Sequence, residues 1–399
     1  MLAVDPYLVD WLDLVFRWFH VTAAIVWIGT SFYFVALDNH LTEPREERDR
    51  ERGVGGEAWE IHGGGLYRVE KFRVAPQQLP EPLHWFKWEA YWTWISGFTL
   101  FTVLYYLQPH TYLIDSSVAN LTAWEAIAIS IGGLVLAWLV YDALCRTVGQ
   151  RSELALALLV LGVVVATAYG SSRLFAARAA YLQVGAMLGT IMVANVFFSI
   201  IPAHRELIRA KEAGREPDPA LNALGKQRSV HNNYLTLPVL FAMLAGHFPF
   251  TYGHAHSWLI LVCLMAIGAW IRHYFNNRHA GRTLWWIPLS VAAALAGLAL
   301  WLRPASTPAA ATPVAFARVF PIVEQRCAFC HSLHPRSTQF TSAPRGIVLD
   351  TPQEIASQAR LIKTVAVDST LMPFGNATRM TAAERRLLGE WIAAGAKTG

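Results

Sequence analysis

Histidine aside, charged side chains are missing from seven long stretches of this 399-residue chain, 18–37, 90–114, 126–141, 154–172, 179–203, 229–271 and 283–302. A helix that crosses a bilayer needs about 20 mostly apolar residues, so stretches of this length predict membrane spans. The stretch 229–271 is too long for one crossing. It carries Gly246, Pro249 and Gly253 near its middle, which predicts two helices joined by a short turn. About eight spans follow, over 11–36, 86–107, 122–144, 153–171, 179–201, 233–247, 257–275 and 284–302. The expected fold class is all-α: a polytopic helical membrane bundle followed by a small helical domain. Composition agrees, with 54% hydrophobic and 15% charged residues, against roughly 25% charged in a soluble domain. Sixteen Trp and a mean hydropathy of +0.32 exclude disorder, and four cysteines exclude a disulfide scaffold.

The formal charge of +5 does not indicate a nucleic-acid surface, because the basic residues collect in loops. Arg45, Arg48, Arg50, Arg52, Arg68, Lys71 and Arg73 lie in the first loop, Arg146 and Arg151 in the third, and Arg205, Arg209, Lys211, Arg215, Lys226 and Arg228 in the fifth. Loops on the opposite side hold only Arg173 and Arg178. The positive-inside rule then puts the basic loops in the cytoplasm and both ends of the chain outside. Asp5 and Asp10, rather than basic residues, precede the first span, which is therefore expected to stay as an anchor.

The expected domains are a membrane domain over 1–302, a Pro/Ala linker over 303–313 (RPASTPAAATP) and a soluble domain over 314–399. The last has ten Lys and Arg against six Asp and Glu. In it Cys327, Ala328, Phe329, Cys330 and His331 spell C-x-x-C-H, the attachment site of a c-type haem. Two thioethers hold the porphyrin and the adjacent imidazole binds its iron. A helical pattern with Phe316, Phe320 and Val323 precedes the motif, and the chain ends in a helix opened by a Thr381 to Glu384 capping box. Packing of first helix on last resembles class I cytochromes c. The sixth ligand is then expected from Met372, held by Pro373, with Met380 as the rival just before the helix cap. Because c-type haem is attached on the outer face of a bacterial inner membrane, this places the domain in the periplasm.

Twelve of the fourteen histidines fall before residue 314. Polar groups at membrane depth are costly and mark function more often than chance, although a lone histidine can simply bond a neighbouring helix. His20 and His247 fall toward the outer face, while His62, His84, His204, His231, His273 and His279 fall toward the cytoplasm. Four blocks there combine polar chemistry with aromatic rings or glycine: EIHGGG at 60–65, Lys87 to Trp94, Ser229 to Tyr234, and Arg272 to Asn276. Together they predict a polar, aromatic-lined pocket open to the cytoplasm.

The strings RWFHVTAAIVWIGTSFYFVALDNHL, EIHGGGLY, LHWFKWEAYWTWISGF, MVANVFFSIIP, SVHNNYLTLPVLF, IRHYFNNRH and MPFGNATRMTAAER resemble the membrane-bound, cytochrome c-linked bacterial urate oxidases over nearly the whole chain. The resemblance implies oxidation of urate to 5-hydroxyisourate, with electrons leaving through haem c to a terminal oxidase or soluble cytochrome c and no hydrogen peroxide formed. His204, in IPAHREL, departs from the family pattern and is assigned no role. Candidate proton-handling residues are His62, His84, Glu89 and His231; candidates for binding the planar urate anion are Lys87, Trp88, Asn232, Tyr234 and Arg272. Electrons from a cytoplasmic site must cross about 30 Å of hydrocarbon. A b-type haem in the bundle, with His20 and His247 as candidate axial ligands and Arg17 near a propionate, would divide that distance. Two alternatives are an electron-transfer cytochrome fed by quinol, without a purine substrate, and a transporter or sensor fused to a cytochrome.

Overall fold

A computed structural model describes residues 5–303 and 314–398, so the linker expected at 303–313 lies, apart from Arg303, outside the described residues. The chain is mainly helical. Helix α1 (Pro6–His40) is opened by Asp5, whose carboxylate accepts from the Tyr7 amide at 3.0 Å. A short α2 (Glu47–Glu51) leads to strands β1 (Val54–His62) and β2 (Gly65–Phe72), followed by α3 (Trp88–Phe101), which ends in a π turn to Tyr106, and α4 (Pro109–Tyr112). Helices α5 (Ala123–Thr147) and α6 (Glu153–Leu174) follow. Helix α7 (Ala177–Asn195) continues through a π turn (Val196–Ile200) into α8 (Ile201–Glu212). Then come α9 (Pro219–Leu244), α10 (Pro249–Tyr252), α11 (Ser257–His279) and α12 (Trp286–Trp301). The C-terminal unit holds α13 (Phe316–Arg326), α14 (Pro352–Ser357), α15 (Ala359–Ile362) and α16 (Ala382–Ala393).

Helices stand at all eight expected positions. Five of them are long and apolar enough to cross a membrane: Pro6–His40, Ala123–Gln150, Glu153–Leu174, Ala177–Glu212 and Ser257–His279. Helix α12, with 16 residues, is apolar but shorter, and α3 has 14 residues before its π turn. Helix α9 begins at Pro219, well before the expected 233, because Asp218 caps its start through the Ala220 amide at 2.8 Å. It thereby draws Arg228, His231, Asn232 and Asn233 into the bundle.

The all-α expectation needs one correction: β1 and β2 form an antiparallel hairpin. Gly63 and Gly64 have φ of +57° and +80°, the left-handed pair that a two-residue hairpin turn demands. The glycines of EIHGGG thus serve a tight turn, and His62, paired with Gly65, sits exposed at the hairpin tip. The hairpin is fixed by buried Asp49 and Glu57, which share the Arg68 guanidinium; Arg52 adds a 2.8 Å contact to Asp49. The Arg68 guanidinium holds the Asp49 carboxyl below the usual carboxylate range. Tyr33 donates to Glu60 at 2.7 Å and Lys71 to Asp38 at 2.8 Å, fastening the hairpin to α1.

Helix α7 is the most enclosed of the long helices and packs against α3, α5, α6 and α9. Tyr141, Leu156, Met187, Leu188, Ile191 and Leu261 form the core around it. Gly185 allows α9 to come close, since a Cβ there would stand 2.8 Å from that of Ala242. Outward, Trp18, Ile25, Leu136, Leu154, Leu289 and Leu300 are exposed, an apolar surface larger than a water-facing monomer usually shows.

In the C-terminal unit α13 packs on α16, with Phe316 and Trp391 rings 5.5 Å apart and Val319, Val323, Ile355, Leu388 and Trp391 buried between the helices. The expected Thr381 to Glu384 capping box is present. This unit rests on the bundle through residues 369–375. Leu371 and Ser369 cover Gly253, Phe374 meets Tyr112 at 5.5 Å, and Thr341 donates to Asp10 at 2.8 Å.

Candidate functional site

Four consecutive side chains of α9 point to three neighbouring helices. His231 Nδ1 lies 2.8 Å from the Tyr141 hydroxyl and 3.9 Å from Cys145 Sγ, both on α5. Asn232 accepts from Asn195 at 2.9 Å and donates to the Met192 carbonyl at 3.0 Å, both on α7. Asn233 donates to Asn276 on α11 at 3.0 Å, and its carbonyl accepts from Arg272 Nε. Tyr234 bonds His273 Nδ1 at 2.7 Å, and Trp270 stacks on that imidazole with ring centroids 5.2 Å apart. Asn232 spends one amide hydrogen and one lone pair on bracing α7. Cys145 stands within this polar group.

Arg272 is different. It is 3% exposed, its guanidinium lies 3.9 Å from the Phe32 ring centroid, and its Nη2 has no hydrogen-bond partner. A buried cation without a counter-ion costs several kcal/mol unless an anion joins it. Arg228, fully buried, donates Nη2 to Asp142 at 2.7 Å and lies 4.9 Å over Tyr141, leaving Nε and Nη1 unpaired. Asn195, Tyr141, Asp142 and Arg228 were not singled out in the sequence; Asn195, the one amide inside MVANVFF, was the available signal.

Three consecutive residues in the C-terminal half of α1 gather the hairpin, the start of α3 and α11. Phe32 meets Arg272, Tyr33 meets Glu60 of the hairpin, and Phe34 meets Phe86 at 5.0 Å just before α3. At the start of α3, Lys87 lies over Trp85 and Trp88 at 5.3 and 5.7 Å, and Trp88 is exposed. Glu89 has one carboxylate oxygen 3.9 Å from His84 Nε2 and the other buried without a partner. His84 itself is exposed. The structure therefore brings Arg272, Tyr234 and His231 into the bundle interior and Glu89 to the start of α3, but leaves His62 out on the hairpin turn.

In the N-terminal half of α1, His20 Nδ1 lies 3.0 Å from the Thr93 carbonyl and 3.2 Å from Ser96 Oγ. Such a bond fixes the ring and frees Nε2, as in ligating histidines generally. Gly97 makes room for the ring, since a Cβ there would come within 2.6 Å of its Cε1. These residues fit an axial ligand. His247 is exposed on the turn Ala245–His247, and no hydrogen bond or ring contact joins it to His20. Arg17 is tied to Asp13 at 2.5 Å.

In the C-terminal unit Cys327, Cys330 and His331 share one turn following α13, where the His331 amide donates to the Cys327 carbonyl at 2.9 Å. His331 Nδ1 lies 3.0 Å from the Ile347 carbonyl, which turns Nε2 away from the chain. Burial pushes the Cys327 thiol up to about 12 and lowers the His331 imidazole. Met372 is half-buried against the same core as Cys327, while Met380 is buried within it. The donor set fits a c-type haem.

Residues 6–303 match the model of a family described as urate oxidase N-terminal. No curated protein and no solved structure matches the chain.

Proposed function

The chain belongs to the urate oxidase N-terminal family, and from that premise we propose that it is a membrane-bound urate oxidase whose electrons leave through a periplasmic c-type haem. The helices named above form the membrane part, with the hairpin and basic loops in the cytoplasm, and the C-terminal unit is a cytochrome c. The reaction is urate plus water to 5-hydroxyisourate with loss of two protons and two electrons; water supplies the oxygen and no peroxide forms. Haem c, held by Cys327, Cys330, His331 and Met372, would supply a one-electron acceptor for this oxidation, with a terminal oxidase or soluble cytochrome c as the partner beyond it.

The single observation that carries this reading is the buried, unpaired Arg272. Its Nη2 offers a charge-assisted hydrogen bond to an anion, and Phe32 beneath it supplies an apolar plane. Glu89, with a free buried oxygen, is the group best placed to take a proton. Cys327 and Cys330 would hold haem c, with His331 and Met372 on its iron. His20, fixed by Thr93, would hold a b-type haem between the two ends.

Anaerobic urate added to the purified protein should reduce the c-type haem, two haems per urate, without oxygen uptake. A protein reduced by quinol but not by urate would be the electron-transfer cytochrome instead; binding of urate without reduction would indicate a transporter or sensor.

A further inference from the structure

Three ties fix how the hairpin lies against α1. Thr42, just past the end of α1, exchanges both backbone hydrogen bonds with Glu57 at 2.9 Å. Lys71, near the end of β2, reaches Asp38 at 2.8 Å, and Glu60 accepts from Tyr33, about two helical turns back from His40. The ties step backward along α1 as β1 advances, so the hairpin runs beside the helix toward its middle. Ile61 and Leu66 face each other across the strands one residue farther on, about 3.3 Å beyond Glu60. That is about two residues of helix rise past Tyr33, within the stretch 18–37 that has no charged side chain. Ile61 and Leu66 are 77% and 74% exposed, and Trp59, on the same face, is also exposed. Arg68, the fourth residue of that face, turns under Trp59 to Asp49 and Glu57, which leaves the tip apolar.

A second marker gives the same level. Phe34, next to Tyr33, meets Phe86 at 5.0 Å, and Phe86 stands between Trp85 and Lys87, whose ammonium lies over Trp85 and Trp88. Lysine and tryptophan together at the start of an apolar helix are the pattern of a headgroup layer.

We propose that the hairpin tip is a lipid-binding element: Trp59, Ile61 and Leu66 enter the interfacial layer of the bilayer, with the glycerol and upper acyl chains of phospholipid as their partner, while Asp49, Glu57 and Arg68 stay on the water side. The proposal rests on the membrane-bound reading above. The turn at Gly63 and Gly64 limits the depth, because its amides and the open strand edges need water or ester oxygens. Entry by about 5–10 Å, as for an interfacial amphipathic helix, meets both demands. Since Tyr33 lies between Phe32, which meets Arg272, and Phe34, a tip held in lipid also braces the segment of α1 that faces Arg272.

The test uses full-length protein in nanodiscs of phosphatidylcholine and phosphatidylglycerol, with an environment-sensitive fluorophore on Ile61→Cys, Leu66→Cys, Glu47→Cys or Ile25→Cys. Wild type labelled alike gives the background of the native cysteines. Lipid with a nitroxide near the headgroup end of its chain should quench the Ile61 and Leu66 positions by about half, and iodide should not. Glu47, exposed on α2, should show the reverse, and Ile25, exposed on α1, should respond to nitroxide near the chain end. Trp59→Phe should remove part of the tryptophan quenching caused by lipid brominated at the shallow depth, a readout that needs no label. Iodide quenching at Ile61 and Leu66, with lipid quenching at Ile25, would overturn the lipid contact and leave the membrane reading standing. Iodide quenching at Ile25 as well would remove the membrane reading itself. A tip shielded from both quenchers would be covered by protein, a second copy of the chain, which equally overturns the proposal.

Discussion

Arg385 of α16 reaches the carbonyl oxygen of Met372 at 2.7 Å and that of Ala366 at 2.6 Å with the same nitrogen, so one guanidinium pins both ends of the loop that carries the proposed iron ligand. Replacing it with glutamine should loosen that loop while leaving Cys327 and Cys330 in place. The long-wavelength charge-transfer band of methionine-ligated ferric haem should weaken and the c-haem midpoint should fall. Retention of both would mean that Arg385 only packs the unit.

Arg272→Gln should weaken urate binding by about 1.5–3 kcal/mol, roughly 10- to 150-fold, the value of a hydrogen bond to a charged group. Thermal stability should hold or rise, because the unpaired buried cation is gone. Equilibrium dialysis and a melting curve on the same preparation check both. Loss of stability with unchanged urate affinity would make Arg272 a structural residue.

Glu89→Gln should lower kcat about 100- to 10,000-fold if Glu89 accepts a proton from the purine or the attacking water, with KM little changed. Steady-state kinetics with an artificial electron acceptor would measure this. A change confined to KM would move Glu89 to binding.

Gly97→Val should displace the His20 ring, because even the first carbon added there would stand 2.6 Å from it. The b-type absorption should fall by at least half and the c-type band should remain. Unchanged b content would exclude His20 as the ligand.

The hairpin contact should be insensitive to pH from about 5 to 9 and fail in acid. The Asp49 carboxyl is held below its ordinary value by Arg68, so its contribution is complete above that ordinary value and is lost as pH falls through the lowered one. Limited proteolysis across residues 52–73, or fluorescence of Trp59 beneath Arg68, would follow the transition. Arg68→Ala should bring the same release at neutral pH.

Helix positions were legible because absence of charge over about 20 residues has one common physical meaning. The turn that gathers Cys327, Cys330 and His331 was legible because C-x-x-C-H holds all three within five residues. The hairpin was not, since its three glycines suggested close approach of a ligand, whereas positive φ at Gly63 and Gly64 makes them the turn. Counting charges also misplaced Arg228. It belonged to a cytoplasmic loop in the tally, yet α9 starts at Pro219 and carries it to complete burial. The unpaired atoms of Arg272 and Arg228 were out of reach for the same reason: a sequence names a cation but not whether its neighbours supply an acceptor.

The contact of Leu371 and Phe374 with Gly253 and Tyr112 makes the C-terminal unit a resident rather than a visitor. A tethered partner meets its donor at an effective concentration in the millimolar range, whatever the protein density in the bilayer. The contact is also largely apolar, so salt should screen it little. Delivery from bundle to haem c should therefore follow first-order kinetics, unaltered by dilution or ionic strength, and only the later encounter with an external acceptor should behave as a collision.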